Sequence, residues 1–76
     1  MDHSTPLSRL LAQRMEALAL TADGVAARFG EDEVTSHAVR GWLRGDYHPN
    51  RAKLPRLAVI LDVPMSTLAL AAAGVE

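Results

Sequence analysis

The residues best equipped for chemistry lie between Val34 and Ile60. Arg40, Arg44, Arg51, Lys53 and Arg56 stand there against one carboxylate, Asp46. Cationic side chains neutralise nucleic-acid phosphates, and a local patch counts for more than whole-chain charge. Ser36, His37, Arg40 and Arg44 recur at helical spacing opposite Val39, Trp42 and Leu43. A stripe of this kind, laid in a DNA major groove, reads base edges. Arg40 is the candidate for a bidentate contact to guanine O6 and N7, worth roughly 1–3 kcal/mol of base discrimination. Ser36 and His37 sit at the N-terminal end of the same segment, where base contacts concentrate. Arg44, Tyr47, Asn50 and Arg51 follow around its end and suit phosphates, which set register without reading sequence.

Other chemistries find little support. His3, His37 and His48 are too scattered for a metal pattern, and no nucleophile–base pair or phosphate-cradling glycine loop is present. No enzyme activity, metal or cofactor is expected. The absence of cysteine excludes a disulfide framework and a thiol nucleophile.

The elements that must position the stripe are helices. Ala and Leu supply 24 of the 76 residues, whereas Val, Ile and Thr together supply 11, too few for a sheet-dominated domain. Thr5-Pro6 opens a first helix over about 6–19, with Leu7, Leu10, Leu11, Met15 and Leu18 as its apolar stripe. Arg9, Gln13, Arg14 and Glu16 fall off that stripe. Thr21 caps a second helix over about 22–29, with Asp23 in its first turn and Val25, Ala26 and Phe29 inward. A third runs over about 36–44 between a Thr35 or Ser36 cap and Gly45. The turn chemistry of Asp46 to Asn50 leads to a fourth over about 51–61, with Leu54, Leu57, Ala58 and Leu61 inward. The fifth covers about 65–72. The expected architecture is a compact all-α five-helix bundle forming one domain over 1–76.

The stretch Val34-Thr35-Ser36-His37-Ala38-Val39-Arg40-Gly41-Trp42-Leu43-Arg44-Gly45 resembles the Val-Ser-x-x-x-Ile-Ser-x-Trp-Glu-x-Gly pattern of the phage repressor and Cro-type (XRE-like) helix-turn-helix family. The later segment Leu54 to Pro64 is similar to that family's leucine-rich fourth helix, and the resemblance spans roughly Leu7 to Leu70. It implies a lambda-repressor-like fold with a helix-turn-helix formed by helices 2 and 3. It also implies a sequence-specific, double-stranded-DNA-binding transcriptional regulator of repressor type, with Thr21 and Thr35 added to the phosphate contacts. Such proteins bind as two-fold dimers on half-sites about one helical turn apart. Here the dimer contacts would fall to Leu68, Leu70, Ala71 and Val75.

Three departures stand out. Glu31-Asp32-Glu33 looks like an insertion in the turn. Leu43 replaces a glutamate that in relatives pairs with a first-helix arginine, which leaves Arg14 without that partner. Ala22 stands where relatives often place a phosphate-contacting glutamine. The acidic triplet, the net charge of −1 and a pI near 6.3 frame the alternative: a helix-turn-helix module that binds a protein, as an antitoxin does. Gly41 has two readings of its own. It costs helix stability by about 1 kcal/mol relative to alanine, which makes sense if the backbone approaches DNA closely, yet it removes a contacting side chain. No apolar run approaches the roughly 20 residues of a membrane span, and Met1-Asp2-His3 lacks the marks of a secretory signal. The expected location is the bacterial cytoplasm and nucleoid, or a phage-infected host.

Overall fold

The structure, a computed structural model, describes residues 5–30 and 34–74. Among these it holds five α-helices: α1 (Pro6–Ala17), α2 (Ala22–Phe29), α3 (Ser36–Arg44), α4 (Leu54–Leu61) and α5 (Met65–Ala72). A 3-10 turn, Arg51–Lys53, leads into α4. No helix among the described residues is long and apolar enough to cross a membrane.

The starts of α1, α2, α3 and the 3-10 turn are built from the residue types that satisfy orphan N–H groups, whereas α4 and α5 begin at Lys53 and Pro64 without a side-chain cap. The Thr5 hydroxyl accepts from the Ser8 N–H at 3.1 Å, and the Ser8 hydroxyl accepts from the Thr5 N–H at 2.7 Å. The pair forms a reciprocal capping box, which accounts for a serine buried in an otherwise apolar interior. Thr21 and Thr35 cap α2 and α3 through their hydroxyls, and Asn50 caps the 3-10 turn.

Three helices end in the same way. After α1, α3 and α4 the chain reverses through a left-handed residue: Ala19 at φ 55°, Gly45 at φ 79° and Asp62 at φ 55°. The next N–H then reaches back to a carbonyl five residues earlier: Leu20 to Met15 at 2.8 Å, Asp46 to Gly41 at 3.0 Å and Val63 to Ala58 at 3.0 Å. This is the Schellman arrangement, in which glycine is the usual left-handed residue. Because α1 carries alanine there, its sequence has no visible stop. The helix expected to reach residue 19 ends at Ala17. The fourth helix also starts later than its sequence suggests, because Arg51–Lys53 wind as a 3-10 turn. Pro55 is thereby the second residue of α4, where its missing N–H leaves no hydrogen bond unmade.

The core joins all five helices. Leu7 and Leu11 of α1, Val25 of α2, Val39 of α3, Leu57 and Leu61 of α4 and Leu68 of α5 are fully buried. The inward positions read from spacing on α2 and α4 all lie inside, whereas Leu10 is half-buried and Leu18, beyond the end of α1, is exposed. The most extensive helix–helix packing is between α2 and α3, where the Phe29 and Trp42 rings meet edge to face at 6.0 Å and 73°. Arg14 does find a partner. Its Nε donates to the Leu61 carbonyl at 3.0 Å, so α1 satisfies an orphan acceptor at the end of α4.

Ala19→Gly is expected to raise unfolding free energy by about 0.5–1 kcal/mol. Relief of the left-handed strain, roughly 1–2 kcal/mol, outweighs the added freedom of the unfolded chain, about 0.4–1 kcal/mol. Urea denaturation followed by circular dichroism measures the difference, and an unchanged or lowered midpoint counts against the strain account.

Candidate functional site

The outward face of α3 is the most chemically populated surface of the described chain. Burial of Val39 and Trp42 turns the opposite side of this nine-residue helix to solvent. His37, Arg40 and Arg44 are exposed there, with Ser36 half-buried at the helix start. The candidate base-reading residues Ser36, His37 and Arg40 are therefore brought together on one accessible face. Arg40 Nη1 lies 3.4 Å from the Ser36 hydroxyl, a weak donation along the helix.

Both guanidinium groups meet carboxylates of the same chain. Arg40 Nη2 lies 3.7 Å from Asp23 Oδ1, linking α3 to the first turn of α2. Spacing suggests for Asp23 only a helix-dipole role. Its place beside Arg40 depends on how α2 crosses α3, which periodicity does not encode. The side chains remain 52% and 75% exposed, so the pair is worth little and can be exchanged for another anion. Arg44 Nε donates to Asp46 Oδ2 at 2.8 Å. Hydrogen bonding to Asp46 holds the Arg44 guanidinium above its ordinary value, so it stays cationic at every pH at which a protein is handled.

Tyr47 lies on α3 itself. The Schellman turn at Gly45 throws the chain back, and the Tyr47 ring covers Gly41; a Cβ at residue 41 would clash with the ring at Cε2 and Cζ. The Tyr47 hydroxyl sits 3.5 Å from His37 Nε2. This corrects one reading of Gly41: its backbone is buried, not open for close approach to a ligand, and the reason for glycine is the tyrosine ring. A signal was available in the sequence, since a glycine at an outward helical position is costly and an aromatic follows the helix stop two residues on.

The remaining candidates divide. The Thr21 and Thr35 hydroxyls accept N–H bonds from Gly24 at 3.0 Å and Ala38 at 3.2 Å; both residues are exposed. Asn50 Oδ1 accepts from the Ala52 N–H at 3.0 Å, which makes it a cap first. Exposed Arg51 lines, with His48, Met65 and Ala69, a groove of about 440 Å³ between the 3-10 turn and α5. The candidate dimer residues are corrected in part: Leu68 and Ala71 are core residues, and only Leu70 is exposed, at 54%. Helical geometry turns Leu68 and Ala71, three residues apart, toward the same inward side. Val75, His3 and the acidic triplet Glu31-Asp32-Glu33 lie outside the described residues. Among the described residues no cluster of three His, Asp or Glu side chains is placed to hold a metal.

The chain has no significant match to a protein-family model, to a curated protein or to a solved structure.

The Thr35 hydroxyl holds the start of the candidate reading helix. Thr35→Ala is expected to lower stability by about 1 kcal/mol, while Thr35→Ser loses a few tenths at most. Chemical denaturation of the three proteins checks this, and equal midpoints for alanine and threonine would remove the cap from the account.

Proposed function

We propose that the protein is a sequence-specific double-stranded-DNA-binding transcriptional regulator, of repressor and Cro-like type, that reads the major groove with α3. The carrying observation is the two-sided character of that helix. Val39 and Trp42 are buried in the core, while Ser36, His37, Arg40 and Arg44 collect on the accessible side. The packing of α2 on α3 supports treating the two as a helix-turn-helix. A bound copy on each of two adjacent half-sites belongs to the same proposal. Leu70, beside a groove of about 300 Å³ between α1 and α5, is then the accessible candidate for contact between copies.

Asp23 and Asp46 reduce the positive field of this face. They do not abolish it, because both pairs are solvent-exposed and a phosphate competes on equal terms. Arg40 exchanges Asp23 for a base edge or a phosphate at little cost. On this reading Asp23 is an internal competitor of DNA.

Fluorescence anisotropy with random duplex DNA is the test. Affinity is expected to fall roughly 10- to 100-fold between about 50 and 200 mM salt, the slope of about two to four neutralised phosphates. Arg40→Ala is expected to weaken binding and flatten that slope. No binding at the lower salt would defeat the proposal and favour a protein partner, for which pull-down with and without substitution of Glu31, Asp32 and Glu33 is the next step.

A second substitution acts in the opposite sense. Asp23→Asn removes the competitor, and affinity for the same duplex is expected to rise about 2- to 5-fold, in line with an exposed ion pair of up to about 1 kcal/mol. A neutral or negative effect in that titration would detach Asp23 from the DNA-facing surface.

A further inference from the structure

The proposal that follows rests on the DNA-reading role of α3 and adds a residue from outside the helix. We propose that Tyr47 is a specificity-determining residue of the reading face, standing in for the side chain that Gly41 lacks, and that its ring recognises the C5-methyl group of a thymine. Residues 37 and 41, four apart, are neighbours on one side of α3, the side opposite Val39 and Trp42. Position 41 faces outward and yet is buried, because the Tyr47 ring occupies the space over it. The outward surface therefore runs His37, Tyr47 ring, Arg44, with Arg40 alongside.

Three features make the ring a groove-facing group and not a loop ornament. Gly45 in its left-handed conformation and the Asp46 N–H bond to the Gly41 carbonyl at 3.0 Å fix the reversal that delivers it. The socket at Gly41 admits it only because no Cβ is there. Tyr47 nevertheless keeps 45% of its surface in solvent, so its other side is free to meet a ligand. The chemistry presented is an apolar ring with one hydroxyl 3.5 Å from His37 Nε2. Among base edges in the major groove, only thymine offers a methyl group for apolar contact.

The experiment selects a preferred duplex from a random library with the wild-type protein. Each thymine of that duplex is then replaced singly by deoxyuridine, which lacks only the methyl group. Binding is measured for wild type, Tyr47→Phe, Tyr47→Ala and Gly41→Ala, with circular dichroism confirming the helical fold of each. Loss of one buried methyl is worth about fourfold in affinity. Wild type and Tyr47→Phe are expected to lose about that factor at one thymine per half-site. Tyr47→Ala and Gly41→Ala, the latter because its new Cβ displaces the ring, are expected to be indifferent to the same replacement. Indifference of the wild type at every thymine overturns the proposal, as does an equal loss in wild type and Tyr47→Ala, and DNA reading by α3 survives either result. Absence of any salt-sensitive DNA binding by the wild type overturns that reading and this proposal together.

Discussion

The edge-to-face contact of Phe29 with Trp42 is the interaction on which the described surface depends. It joins α2 to α3 at a ring separation of 6.0 Å and buries Trp42 to 4% exposure. A helix of nine residues is too short to be stable alone in water, so α3 exists because its apolar side is anchored. Replacing so large a buried ring by alanine costs about 3–5 kcal/mol, a large share of the roughly 4–11 kcal/mol that a chain of this size has in total. Everything displayed on the outer side of α3 is oriented by what Trp42 and Val39 do on the inner side.

The second determinant is how helices stop. Three of the five end in a Schellman reversal, and each reversal decides where the following residues land. After α3 it returns Tyr47 to the helix it has just left and sets Asp46 against Arg44. After α4 it leaves the Leu61 carbonyl to be met by Arg14 from the opposite end of the chain. The loop between α3 and α4 is thus part of the α3 surface and not merely a connection.

Electrostatics on that surface is a matter of competition. The cations of α3 are each met by one exposed carboxylate, close enough to hold side chains in place and weak enough to yield. A nearly neutral chain with a locally exchangeable cationic face favours contacts of short range over a strong long-range field.

Much of the fold was legible in the sequence, for local reasons. The threonine caps, the three- and four-residue spacing of Leu, Val and Ala, and the stop at Gly45 each act within one turn of helix. The five helices and the inward residues of α2 and α4 therefore follow from short-range patterns. The outward grouping of Ser36, His37, Arg40 and Arg44 follows from the same periodicity. What periodicity does not carry is the relation between turns of different helices and the path of a chain between them. Ala19 in the left-handed region has no sequence signal because alanine does not favour that conformation; the Leu20 N–H bond to the Met15 carbonyl closes the turn. Asp23 meets Arg40, Arg14 meets Leu61, and Leu68 and Ala71 are withdrawn from the surface only once α2, α4 and α5 are docked. The Tyr47 ring over Gly41 follows from the path of the chain through the Gly45 reversal, of which the costly glycine and the following aromatic are the only signs in the sequence. The sequence by itself determined which residues are helical and which side of each helix is apolar, because those are properties of neighbours along the chain. The tertiary structure decided that Arg40 meets Asp23 and that Arg14 meets the Leu61 carbonyl, because those pairings depend on how separate helices pack in three dimensions.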